Sequence, residues 1–128
     1  MYLASVHTKT KRPTMVKVGP YLYKIYYSDA KVDAFVVEDG DASAENAAGY
    51  SDTNTHVIAL RTKKYSEAAI RTTLLHELLH CAFDAAGGWY KLPEDKGAEE
   101  AIIQAMSPSL LNILRENPEV TAYLTVID

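Results

Sequence analysis

The segment Leu74-Leu75-His76-Glu77-Leu78-Leu79-His80-Cys81-Ala82-Phe83 holds the residues best suited to chemistry. Its two imidazoles stand at i and i+4. In a helix that spacing puts both on one face, one turn apart. Two ring nitrogens so placed can reach a single Zn2+ at about 2.0–2.1 Å. Glu77 follows His76 and is rotated from it by about 100° around the helix axis. It is badly placed to join the same ion but well placed to reach a water beside it, the general-base position of a His-Glu-x-x-His motif. Apolar residues lie on nearly every side of the segment, which predicts a buried helix. Burying two imidazoles and a carboxylate is costly unless something compensates them, and a metal ion would do so. The alternative is a pair of core histidines hydrogen-bonded to Glu77 or to backbone.

This helix needs neighbours that start it, stop it and hold it. Ser66 is a good N-cap, and Glu67 suits the positive end of the helix dipole. Tyr65 and Ile70 have the spacing of a hydrophobic staple. Gly87-Gly88 supplies the stop, giving a helix of about 20 residues, roughly 30 Å long. Upstream, Val16–Val18 and Tyr21–Tyr27 read as strands separated by Gly19-Pro20. Val32 to Val37 reads as a further strand, 38–54 as loop with room for a helical turn over Ala42–Ala48, and Thr55–Arg61 as another strand. Downstream come a loop from Trp89 to Lys96 and a helix near Gly97–Met106. A restart or kink at Ser107-Pro108 follows, then a short helix Glu119–Leu124 after Asn117-Pro118. Strands first and helices afterwards predict an α+β domain, a small antiparallel or mixed sheet of about three to four strands packed on the active helix. The whole chain, 1–128, is read as one domain, strand-rich over 1–62 and helical over 66–124.

Composition narrows the function classes. The chain has 128 residues, 48% apolar, with a net charge of −4. Its pI near 5.5 argues against nucleic-acid binding, which needs a basic field. The basic cluster Lys9, Lys11, Arg12 is short and reads as a solvated loop. Cys81 is the single cysteine, so no internal disulfide can form. Residues Met1–His7 lack the basic and apolar regions of a signal peptide, and no apolar run approaches the roughly 18 residues of a membrane span. The expectation is a soluble cytoplasmic protein with a peptide or protein substrate and no membrane partner.

Thr73 to His80 resembles the active helix of the zincin metallopeptidases. The layout from about residue 49 to 124 is similar to the short gluzincin-like or SprT-like peptidases of phages and bacteria. Those have a strand ending near a Gly-Tyr-Ser-Asp turn and then a capped His-Glu-x-x-His helix. A helix follows that opens with paired glutamates and closes in Asn-Pro. Here the later pieces are Glu99-Glu100-Ala101-Ile102-Ile103 and Leu114-Arg115-Glu116-Asn117-Pro118. The resemblance implies a minimal zincin-like fold, zinc as cofactor and amide hydrolysis with Glu77 as base.

A catalytic zinc takes three protein ligands and keeps one open position. The metzincin extension is absent, with Phe83 and Ala86 at its glycine and histidine positions, and no histidine follows His80. That departs from SprT-type proteins with a later histidine ligand, so a glutamate, as in gluzincins, is the expected third ligand. Glu99 shares a helical stripe with Ile102, Ile103, Met106, Leu110 and Ile113, whereas Glu100 aligns with Gln104 and Ser107. Glu99 is therefore preferred, with Glu100 the alternate and the other a surface or supporting carboxylate.

Lesser candidates surround this set. Tyr50 and Tyr90 could donate to the oxyanion, and His56 could line the cleft. Asp84 lies on the histidine side but about 12 Å from His76 along the axis, so it reads as a supporting partner or surface charge. Cys81 reads as an inert buried thiol and His7 as a surface residue. An extended peptide could add to the sheet edge, with Thr55–Arg61 the expected strand. The acidic loop Glu38–Asp41 reads as solvated, or as favouring basic substrates. The rival class to a peptidase is a zinc-binding regulatory or adaptor module that cleaves nothing.

Overall fold

The computed structural model describes residues 11–39, 47–87 and 98–127, without the side chains of Asp39, Ala98 and Glu99. Strands β1 (Met15–Val18) and β2 (Tyr21–Tyr27) form an antiparallel hairpin. Its turn uses Gly19 at φ +58°, a conformation that glycine adopts without a Cβ penalty. Helix α1 (Asp29–Asp39) follows, then β3 (Gly49–Asp52) and β4 (Val57–Leu60). The sheet order is β1-β2-β4-β3, with β2 parallel to β4 and β3 antiparallel to it. Helices α2 (Glu67–Ala85), α3 (Ala98–Glu116) and α4 (Pro118–Leu124) complete the α+β fold.

Strand alternation builds the core. Val16, Val18, Tyr23, Ile25, Ile58 and Leu60 share one sheet face and pack on Ile70, Leu74, Leu78, Cys81 and Ala82 of α2. Ile113, Val120 and Tyr123 close the same cluster from α3 and α4. Ser66 caps α2, its hydroxyl accepting the Ala69 N–H at 3.1 Å, and Gly87 at φ +74° ends it. The cap, the stop and the position of this helix match the sequence expectation.

Three elements differ from it. Val32 to Val37 is helical, not a strand: Ser28 Oγ accepts the Lys31 N–H, and Val32, Phe35 and Val36 recur at helical spacing. That spacing outweighs the β-branched content. The segment 38–54 is not simply loop, because β3 lies inside it; Ala47 and Ala48 are not helical, and 42–46 fall outside the described residues. Helix α3 neither restarts nor breaks at Ser107-Pro108 but runs on to Glu116. Met106, Leu110 and Ile113 pack from it onto the core on both sides of Pro108. That packing offsets the roughly 3 kcal/mol that an interior proline costs. The loop expected from Trp89 to Lys96 lies outside the described residues.

Candidate metal centre and cleft

Helix α2 meets the sheet closely at Gly49. A Cβ there would stand 2.7 Å from Thr73 Cγ2 and 2.9 Å from Leu60 Cδ2, so any larger residue would force these side chains to shift. One turn beyond Thr73, His76, Glu77 and His80 border a cleft of about 440 Å3. Its other wall is β3 with the turn that follows: Gly49, Tyr50, Ser51, Asp52, Thr53 and Asn54. Phe83, one turn past His80, lines it too.

The imidazoles converge. His76 Nε2 and His80 Nε2 lie 3.2 Å apart, with the rings at 75° to each other. Two nitrogens bound to one tetrahedral zinc at about 2.05 Å would be separated by about 3.3 Å. The pair therefore already has the spacing of two corners of a zinc tetrahedron. Both histidines are exposed, whereas Glu77 between them is only 5% exposed. Leu75 and Leu79, 39% and 38% exposed, show that α2 is buried on one side and not all round. The imidazoles open to the cleft, so it is Glu77 alone that bears the cost of burial. Among the described residues no hydrogen bond or ion pair reaches the Glu77 carboxylate.

Beneath Glu77 the helix is inert. Burial pushes the Cys81 thiol up to about 12, its bond with the Tyr23 hydroxyl offsetting this only in part. Burial also raises Tyr23, helped by nearby Cys81 and Asp84. Neither group ionises at neutral pH. Asp84 sits half-buried one turn beyond His80.

Both candidates for a third ligand lie on α3. Glu99 falls in the first turn of α3, and its side chain is outside the described set. Glu100 is exposed, and its carboxylate accepts the Gln104 side-chain N–H at 3.3 Å. Among the described residues, no group of three or more His, Cys, Asp or Glu side chains could hold a metal. His76 and His80 fit a zinc ion by donor type and spacing; the fit of a third donor rests on the gluzincin resemblance.

In comparisons with known proteins, no family model, no curated protein and no solved structure matches this chain. The zincin resemblance stands on the residues themselves.

Of the two cleft candidates, Tyr50 lines the cleft and His56 does not. Tyr50 lies on the wall strand, but its ring stacks on Phe35 of α1 at 4.6 Å, on the sheet face opposite Gly49 and α2. His56 is not among the cleft's lining residues. It sits in the β3–β4 turn at φ +59°, stacked on Tyr21 at 4.4 Å and edge-on to Tyr23. Tyr90 and His7 lie outside the described residues. Thr55–Arg61 is also corrected as the docking edge: β4 runs between β2 and β3 and has no free side. The edge that lines the cleft belongs to β3. Arg61 N–H donates to Ala48 C=O at 2.8 Å, and the antiparallel alternation then turns the N–H and C=O of Gly49 and Ser51 away from β4.

The residues that sequence reading passed over are Ser51, Asp52, Thr53 and Asn54. Asp52-Thr53-Asn54 carried a turn signal, since Asp52 Oδ1 accepts the N–H of Asn54 at 2.9 Å and of Thr55 at 3.3 Å. What the signal could not say is that this turn faces α2.

Proposed function

We propose that this chain is a zinc-dependent metallopeptidase that hydrolyses peptide bonds with Glu77 as general base. The observation that carries the reading is the 3.2 Å Nε2–Nε2 approach of His76 and His80 at the mouth of a cleft walled by a strand edge. His76 and His80 would hold the metal through Nε2, with Glu99 as third ligand and Glu100 the alternate. Zinc bound there supplies Lewis acidity that polarises the scissile carbonyl and acidifies water. The chain's own residues do the rest. Glu77 takes a proton from the attacking water and returns it to the leaving amine nitrogen. Its shielded carboxylate has no protein partner among the described residues to compete for that proton. The outward N–H and C=O groups of Gly49 and Ser51 can pair with an extended peptide and lay it along the cleft.

The second sheet edge offers no such site at its centre. Asn117 Oδ1 accepts the Lys17 N–H of β1 at 2.7 Å, and Asn117 Nδ2 donates to Lys17 C=O at 2.8 Å. A side-chain amide thus occupies the outward groups there, which favours β3 for strand addition. The reading includes a cytoplasmic place of action, since the one cysteine is buried and needs no oxidant. Among the described residues no helix is long and apolar enough to cross a membrane. A peptide-library digest comparing the parent with Glu77→Gln tests the activity. Cleavage by the parent alone is expected; equal cleavage by both would exclude Glu77 as base, and zinc binding without cleavage would favour the regulatory or adaptor class.

A further inference from the structure

The cleft wall holds a carboxylate that no lysine or arginine among the described residues pairs with. Asp52 stands at the end of β3, one residue past Ser51, and is half-buried in the cleft wall. Its Oδ1 is fixed by two neutral donors, the N–H groups of Asn54 and Thr55. Among the described residues no lysine or arginine forms an ion pair with it, and none lines the cleft. Burial works against its ionisation, but the Asn54 and Thr55 hydrogen bonds and nearby His56 outweigh it, and the carboxyl is held below its usual range. A ligand in this cleft therefore meets a fixed, ionised carboxylate that no lysine or arginine among the described residues neutralises.

We propose that Asp52 makes the cleft selective for extended peptides that present a lysine or arginine side chain at the end of β3. The ligand class rests on the metallopeptidase reading; the charge preference rests on Asp52. A strand paired to Gly49 and Ser51 has a fixed register, because its side chains alternate. Only one peptide position can then bring its side chain to Asp52. A basic side chain there gains a charge-assisted bond and relieves the unpaired carboxylate. A neutral or acidic one gains neither.

The test uses zinc-loaded Glu77→Gln protein, with and without Asp52→Asn or Asp52→Glu. Pairs of N-acetylated peptides differ only by lysine or acetyl-lysine, moved one position at a time, so that the side chain supplies the cation. At one position lysine should bind about tenfold tighter, the effect of one charged hydrogen bond in a half-open site. Asp52→Asn keeps an acceptor for the turn N–H groups and should bring that ratio to about one, while Asp52→Glu should retain a preference. Melting curves of the variants check that the turn persists. An unchanged ratio in Asp52→Asn, or a preference that follows a free α-amine instead of the side chain, would overturn the proposal. Parent protein is tested for cleavage in parallel. Cleavage with no lysine preference defeats the selectivity and spares the peptidase reading. An Asp52-dependent preference without cleavage does the reverse. Failure to bind any peptide defeats both.

Discussion

His76, Glu77 and His80 differ in exposure in the way the proposed reaction needs. The histidines face solvent, where a cation could be taken up and released without a large desolvation cost. Glu77 is shielded, which keeps its carboxylate away from bulk water and close to the histidine pair. Glu77→Gln keeps the size of the side chain but cannot accept the proton. It is expected to lower kcat by about 10²–10⁴-fold with zinc content unchanged, measured by peptide turnover beside metal analysis. These three residues were legible because i, i+4 spacing is a local property of a helix. Asp52 was not, since its place in the cleft depends on β3 lying beside α2. His56 was misplaced for the same reason. Its ring is claimed by Tyr21 and Tyr23, partners remote in sequence.

At the scale of elements, the site depends on one strand-to-helix contact. Gly49→Ala relieves the backbone entropy cost of glycine, worth about 0.5–1 kcal/mol. It also drives a methyl into Thr73 Cγ2 and Leu60 Cδ2, with Ala59 C=O at 3.1 Å behind them. Overpacking of that kind costs about 1–3 kcal/mol, so the net expectation is destabilisation of about 1 kcal/mol, read from denaturant midpoints. Adding Thr73→Ser removes one clashing methyl and should restore part of the loss. A Gly49→Ala protein as stable as the parent would mean that β3 and α2 are not so close. Helix α2 was legible through Ser66, Glu67 and Gly87. Strand β3 was not, because four residues with a glycine and partial burial throughout carry little β signal. Helix α1 was readable in the Val32, Phe35, Val36 spacing, but its β-branched residues favoured the wrong reading. Continuity through Pro108 was decided by packing that no local rule contains.

For the whole molecule, the segment before β1 is tied to the rim of the core by charge. Arg12 pairs with Glu67 at the start of α2, and the Tyr123 hydroxyl of α4 donates to Glu67 at 2.6 Å. The Arg12 hydrogen bond, against burial and aided by Tyr123 and Arg71, holds the Glu67 carboxyl below its usual value of 4.5. A depressed carboxyl stabilises the fold fully above its unfolded value and loses that stabilisation as pH falls through the folded one. The parent should therefore lose more stability than Glu67→Gln as pH falls below the usual carboxyl value of 4.5, followed by denaturation at each pH. Parallel curves would remove Glu67 from the acid response. Added salt should shrink the difference, because the Arg12–Glu67 pair is well exposed. The α+β class was legible at this scale from the order of strands and helices. The parallel β2–β4 pairing was not, because it brings together strands separated by α1 and β3.

The most direct measurement is zinc stoichiometry. Chelator-stripped, dialysed protein is reloaded with zinc and assayed by elemental analysis, for the parent and for His76→Ala, His80→Ala and Glu77→Gln. One zinc per chain is expected in the parent and in Glu77→Gln, and none in either histidine variant. Full zinc binding by His76→Ala, or no binding by the parent, would contradict the metal centre.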